Sequence, residues 1–315
     1  MHKTTVLSIG LIAVLAAACS SGAASPSASA TAAASATPAA VSIAPSVAPS
    51  PSAAACAQAD LALVTPGKLT VGTDNPAYPP YFAENTGGKK TAPWELGDPT
   101  NGNGFESAVA YAIATKLGFT KDSVTWVVVP FINSFAAGAK TFDFDVNQVS
   151  FNAQRAQTAD LSTGYYFGNQ SLVVMKTNPL AKATSIAQLK GGTFGAQVGT
   201  TSLDAINTII APTKDAKVYD TSDAAIAALG SGTLDGVVVD LPTADYITNV
   251  QLNGSTIVGQ FANGTPEHFS AVLAKGSALT SCLNTAIDSL TADGTLKTLA
   301  SKWLPFQDSV PVFKP

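Results

Sequence analysis

Arg155 is the only arginine in this 315-residue chain; every other basic side chain, His apart, is a lysine. A guanidinium presents a planar fork that grips a carboxylate through two parallel hydrogen bonds, and it keeps its charge when water is withdrawn. A chain that uses lysine everywhere else therefore points, at this position, to capture of a carboxylate. Arg155 ends the run Asn147-Gln148-Val149-Ser150-Phe151-Asn152-Ala153-Gln154-Arg155, just past a strand-like segment, where a cleft residue belongs. The competing reading is a structural ion pair with a nearby acid such as Asp160. Other chemistry lacks its residues. Beyond the first residues only His268 remains, too little for a His-based metal cluster or a Ser-His-Asp triad. Neither kind of phosphate-cradling glycine loop occurs. No metal or cofactor is expected, and catalysis, if any, would rest on carboxylates.

The elements that must hold Arg155 alternate along the chain. Residues 68–72 read as a strand; Phe105, Val109, Ala112, Ile113 and Leu117 recur at helical spacing, so 105–118 reads as a helix closing at Gly118. Strands follow at 124–129 and 142–149, with a short helix at 132–137 between them. A second series repeats this: strands 193–197, 216–219 and 234–240, with helices 202–210 and 222–229. The apolar Val237-Val238-Val239 suits a strand buried on both faces. Such alternation predicts two α/β lobes, each a mixed, mostly parallel sheet flanked by helices. Ligands in such folds sit off the carboxyl ends of the strands. Two short apolar stretches, 165–176 and around 269–275, can carry the chain between lobes as a two-strand hinge, and the helical tail 279–303 would return to the first lobe. The expected division is 56–167 and 269–315 for the first lobe and 168–268 for the second.

Composition sets the surroundings. Lys3, the apolar run Val6 to Leu15 and the small residues before Cys19 have the layout of a secretory signal over residues 1–18. Cys19 after Ala16-Ala17-Ala18 reads as a lipidation site that would hold the chain at the outer face of the cell membrane; an ordinary secretory cleavage near the same alanines is the alternative. Residues 20–55 carry no charge and no aromatic ring, so they cannot bury enough surface to offset ordering entropy and read as a flexible Ser/Ala/Pro tether. With Cys19 assigned, Cys56 and Cys282 remain as an even pair, which in an exported protein reads as a disulfide, or else as two free thiols. Net charge is −4 with no basic block, so nucleic acid is excluded as a partner.

Five ordered segments carry a resemblance: GKLTVGTDNPAYPPY, GFESAVAYAIATKLGF, FDFDVNQVSFNAQRAQTADLSTGYYFGNQSLVV, GAQVGTTSLDAI and DGVVVDLPTADYI. Over about residues 66–305 the chain resembles the family 3 extracellular solute-binding proteins, the polar amino acid receptors of ABC transporters. The resemblance implies a type II periplasmic-binding-protein fold without enzyme activity. The protein would be a monomer that closes on a small ligand, an L-amino acid, and presents it to a membrane permease. Arg155 matches the arginine that binds the ligand α-carboxylate, Ser150 the hydroxyl before it, and Gln148 the position whose backbone helps hold the α-amino group. Thr200, Thr201 and Ser202 match the second-lobe loop that opens a helix, where free N–H groups suit the same carboxylate. Asp240 matches the acid for the α-ammonium. Tyr78 and Phe131 match aromatics flanking the ligand side chain, with Asp74 and Gln197 at its far end. Each has a plainer reading: Asp240 as cap of a helix near Pro242, the Thr-Thr-Ser run as an N-cap, Tyr78 and Phe131 as core. Trp94, in the irregular loop from Glu84 to Gly104, would overhang the cleft or staple the surface.

Departures bear on specificity. Asn152-Ala153-Gln154-Arg155 keeps only the arginine of the usual Thr-Pro-Glu-Arg, Glu106-Ser107 stands in place of Asp-Val, and His268-Phe269-Ser270 in place of a Tyr-Gly pair. Gln197 and Val239 stand where some relatives have Lys and His, which implies an uncharged or weakly polar ligand. Two other roles fit the same scaffold: a prephenate-type dehydratase, with Glu106 or Asp74 as general acid, and a sensor subunit binding the same ligand.

Overall fold

A computed structural model describes residues 56–85, 87–88, 91–261, 267–305 and 309–314. The signal-like segment, Cys19 and the tether lie outside the described residues. Among the described residues no helix is long and apolar enough to cross a membrane.

Two five-stranded mixed sheets share one plan. The first is ordered β2-β1-β3-β10-β4 and the second β7-β6-β8-β5-β9. In the first, β1 (Leu69–Thr73) runs parallel to β2 (Val124–Val128) and β3 (Phe144–Asp145). In the second, β6 (Phe194–Gln197) runs parallel to β7 (Lys217–Tyr219) and β8 (Gly236–Asp240). The remaining pairings are antiparallel and come from the strands that carry the chain across. These are β4 (Ala159–Gly168) and β10 (Glu267–Ala274) in the first sheet, β5 (Gln170–Met175) and β9 (Ser255–Phe261) in the second. Parallel pairs are thus half of each sheet rather than most of it, because each sheet takes in one outgoing and one returning hinge strand.

Local chemistry sets the element ends. Gly104 precedes α1 (Phe105–Lys116) at φ 95°, and a Cβ there would meet the Tyr81 carbonyl oxygen at 2.4 Å, so only glycine fits. Phe105, Val109 and Ile113 recur at helical spacing and are fully buried. The expected strand 142–149 is regular only at β3. Beyond it Gln148 adopts φ 50°, a left-handed conformation uncommon outside glycine, and turns the chain toward the cleft. The short helix expected at 132–137 is α2 (Phe131–Ser134).

The Val237-Val238-Val239 run behaves as its composition implies. Val238 enters one apolar cluster with Leu172, Phe194 and Phe261, while Val237 and Val239 enter another with Leu229 and Ile247. Successive strand residues face opposite ways, so both faces of this sheet are dry. The first lobe has its own cluster, in which α1 packs with α7 (Thr280–Ala292) and α8 (Thr295–Trp303). The Cys56–Cys282 disulfide, its Cα atoms 5.4 Å apart, fastens the start of the described chain to α7 across 226 residues.

The chain passes from β4 of the first sheet to β5 of the second at Asn169, and β9 of the second sheet is followed by β10 of the first; the stretch 269–275, expected to carry the second crossing, lies mostly in β10, already in the first sheet. It then passes over once more. Residues 309–314 leave the first lobe and pair with the second: Gln260 N–H donates to Pro311, Phe313 N–H to Gln260, and Ile186 N–H to Lys314. Phe313 stacks on Phe261 at 5.0 Å. The tail therefore belongs to the second lobe and not, as expected, to the first, because Phe313 finds an apolar seat over Gly259 there.

Candidate functional site

The cleft between the two sheets encloses a cavity of about 430 Å³, within the size range of small-molecule sites. It lies where the carboxyl ends of β1, β3, β6 and β8 face one another, so loops leaving these strands supply the walls. Of the predicted residues, Arg155, Ser150, Gln148, Asp240, Thr200, Thr201, Ser202, Asp74, Tyr78, Phe131 and Gln197 all line it. Trp94 does not. It is 4% exposed and packs in the first-lobe core, so the loop carrying it folds inward rather than over the cleft.

Arg155 begins α3 (Arg155–Thr158) and is 4% exposed. Its Nη1 donates to the Ser150 carbonyl at 2.5 Å, and Nη2 reaches across the cleft to the Gly199 carbonyl at 2.8 Å. Phe135 and Phe131 lie against the guanidinium, 4.6 and 5.5 Å from their ring centres. Burial lowers its pKa, opposed by the negative charges of Asp240, Glu267 and Asp204. Among the described residues no carboxylate lies within ion-pair distance of it. The suspected partner, Asp160, instead takes Lys275 at 3.3 Å and the Thr280 hydroxyl at 2.8 Å. A buried guanidinium held by carbonyls alone keeps much of its desolvation cost uncompensated. An anion in the cavity would relieve it.

Asp240 stands at the N-cap position of α6 (Leu241–Tyr246), yet its side chain makes no cap hydrogen bond. It accepts instead from Gln170 Nε2 at 2.6 Å, and the same amide nitrogen lies 3.1 Å from Glu267 Oε2. Burial, then the neighbouring Glu267, pushes the Asp240 carboxyl up to about 8, with Gln170 and Arg155 pulling the other way. Ser202 donates to Gln170 Oε1 at 2.6 Å, and Thr201 Oγ1 donates to Ser150 Oγ at 3.4 Å across the cleft. Thr200 caps its helix by accepting from Leu203 N–H at 3.2 Å. That helix, α4 (Thr201–Ala205), continues as a π-turn Ile206–Ile210. Gln148 spends its backbone N–H and its side-chain amide on Glu106, leaving its carbonyl for the cavity.

The other end of the cavity is built differently. Asp74 accepts backbone N–H bonds from Asn75 at 2.7 Å and Phe131 at 3.2 Å, and burial raises its pKa against both. Tyr78 donates across the cleft to Asp223, which opens α5 (Ser222–Gly230) with Ser222. Tyr246 faces Tyr78 with ring centres 6.3 Å apart. Gln197 spends its amide oxygen on the backbone N–H and hydroxyl of Ser222.

A model of the bacterial extracellular solute-binding proteins, family 3, matches residues 69–306, most of the chain. The chain belongs to this family. Its relatives agree in kind. The probable amino-acid-binding protein YxeM of Bacillus subtilis is 27% identical over 244 residues, 75% of this chain and 83% of that protein. The ABC transporter arginine-binding protein 1 of Escherichia coli is 27% identical over 173 residues, 53% of this chain and 68% of that protein. The structure of an ancestral arginine-binding protein bound to arginine superposes with a TM-score of 0.59 at 28% identity, covering 76% of this chain and 98% of that one. As a family 3 protein the chain has the type II two-lobe fold, and its named relatives are amino-acid- or arginine-binding proteins, one of them of an ABC transporter.

Sequence reasoning missed Asp223, which lines the cavity of this family 3 protein, and three residues that support its lining: Phe135 against Arg155, and Gln170 and Glu267 beside Asp240. Phe135 carried a signal, an aromatic four residues beyond Phe131 and so on the same helical side. Asp223 also carried one, following the carboxyl end of β7. Gln170 and Glu267 carried none, since each is the first residue of a strand that carries the chain between sheets and meets the cleft only through the fold. Glu106, the suggested general acid, is fully buried and does not line the cavity. Burial pushes it up to about 7, while Tyr165 and Gln148 both donate to it.

Proposed function

We propose that this protein is the extracytoplasmic capture component of an ABC importer, binding a free amino acid by its α-carboxylate and α-ammonium and closing on it. The α-carboxylate meets Arg155, with Ser150 and the Thr201 and Ser202 backbone N–H groups beside it. The α-ammonium meets Asp240 and the Gln148 carbonyl. Each charged group of the ligand thereby touches both lobes, and its higher affinity for the closed arrangement drives hinge closure. The permease would recognise the closed form. The observation that carries this reading is the Arg155 guanidinium, buried between the lobes without a carboxylate in ion-pair contact. Export follows from the family; anchoring through a lipid on Cys19 is part of the proposal, as are the tether and a monomeric state. Of the two acids the dehydratase alternative could use, Glu106 is buried outside the cavity lining and accepts from Tyr165 and Gln148, while Asp74 lines the cavity, so prephenate remains a control in the test.

The test is thermal melting of the purified protein against the common L-amino acids, with sugars and prephenate as controls. A ligand at about 1,000 times its Kd adds roughly 4 kcal/mol, a rise of about 8–16 °C for a chain of this size. No shift with any amino acid would sink the reading, and prephenate turnover would replace it with the enzyme.

A further inference from the structure

The match to the family ends at residue 306, short of the tail that pairs with the second lobe. Leu304, 2% exposed, is the last residue of the first-lobe core. By Val310 the chain is held by the second lobe, the Val310 carbonyl accepting from Gln260 Nε2 at 2.7 Å. The attachment continues through the main chain: Gln260 N–H donates to Pro311 at 2.9 Å, Phe313 N–H to Gln260 at 3.0 Å, and Lys314 N–H to Thr184 at 3.2 Å. β9 is the edge strand of the second sheet, so these residues occupy its open side. Gln260 also reaches the hinge. Its Oε1 accepts from Asn169 Nδ2 at 2.8 Å, and Asn169 is where β4 gives way to β5. One buried amide thus joins the tail to the first crossing between lobes.

We propose that residues 309–314 form a third strap between the lobes, tied by Gln260 to the crossing at Asn169, and that this strap limits how far the cleft opens. Leu304 and Val310 are six positions apart, a length of chain that reaches at most about 20 Å. They cannot part further while Phe313 keeps its seat on Phe261. Two neighbouring hinge strands can bend and twist together, and a third attachment removes part of that freedom. Fewer open arrangements leave less entropy for closure to give up, so the strap favours closure on whatever the cleft takes. It rests on the hinge motion proposed above, but not on the identity of the solute.

Spin labels at Thr125→Cys and Lys217→Cys, in a Cys19→Ser chain, read the opening by pulsed dipolar spectroscopy without ligand; Cys56 and Cys282 stay in their disulfide. Both label sites are exposed and lie on β2 and β7, the sheet edges farthest from the crossings. β2 stands four places from β4, about 19 Å away, so each ~15° of extra opening should part the labels by about 5 Å. A flexible Gly/Ser insertion directly after Pro305 lengthens the strap and leaves Phe313 its seat, which deleting the tail would uncover. The insertion should widen the label distance by about 5 Å, and Gln260→Met, which keeps the volume but gives up both amide bonds, by about half as much. An unchanged distance in the insertion variant overturns the strap, whether or not the tail stays docked, while amino-acid capture is judged separately by the melting screen. Widening with the insertion but none with Gln260→Met overturns the role of Gln260.

Discussion

At the hinge end of the cleft, Arg155, Ser150 and Asp240 are buried or nearly so and are held by backbone carbonyls and by Gln170, a hinge-strand residue. At the far end, Asp74, Tyr78 and Asp223 are more open; Tyr78 and Asp223 hold one another across the lobes, while Asp74 accepts from two backbone N–H groups. The first arrangement suits groups common to every amino acid, since main-chain partners fix a geometry that substitution does not change. The second suits a variable side chain, because Tyr78 and Asp223 meet through side chains on a loop and a helix start that can be exchanged without disturbing a sheet. One cleft thus combines a constant part and a variable part, and they should respond differently to mutation, pH and ligand.

The constant end should fail first and for every ligand. Arg155→Lys loses the planar fork and should weaken all amino acids alike, by about 3 kcal/mol or roughly 150-fold; calorimetry showing a loss confined to one ligand would merge the two ends. Asp240→Asn should cost about 30-fold, again without regard to side chain. Because the Asp240 carboxyl is raised to about 8, an arriving α-ammonium must expel a proton at pH 7. Calorimetry in buffers of different ionisation enthalpy should therefore detect proton release in the wild type and none in Asp240→Asn. Phe135→Leu removes the nearer ring beneath the guanidinium and should cost about fivefold, by weakening the support of Arg155.

Stability carries a further signature of that end. Asp240, raised to about 8, and Glu106, raised to about 7, hold protons in the folded chain that the unfolded chain releases near pH 4. Their contribution is complete below the unfolded values and is lost as pH climbs through the folded ones, so the protein without added ligand should lose stability between pH 5 and 8. His268, lowered by burial, works in the opposite direction but is a single half-buried group. A melting midpoint that stays level or rises over this range would contradict the assignment. The smallest effect expected is that of Thr200→Ala, about 1 kcal/mol of stability through a lost helix cap, or a midpoint lower by about 2–4 °C.

Much of the constant end was legible in the sequence. A sole arginine after a strand, a Thr-Thr-Ser helix start and an acid closing a Val-Val-Val strand are local patterns, and local patterns survive folding. The helix at 105–116 and the strands around it were legible for the same reason, since apolar periodicity reports burial directly. Strand 142–149 was overread because nothing local distinguishes Gln148, whose left-handed backbone is imposed by its bonds to Glu106. Trp94 was misplaced because its loop lacks periodicity. The variable end was hardest, for Asp223 and Tyr78 lie 145 positions apart and meet only through the fold.

The seat of Phe313 on the second lobe has a consequence for the order in which the molecule is made. Neither lobe is a continuous piece of chain: the first waits for α7 and α8, and the second for residues 309–314. A polypeptide emerging from its amino end would therefore hold both cores incomplete until α7 and α8 had followed, and leave the Gly259 surface bare until residues 309–314 had followed. Completion of the second lobe thereby waits for its last strand partner, and removing residues 309–314 should leave Phe261 and Gly259 uncovered and lower the melting midpoint.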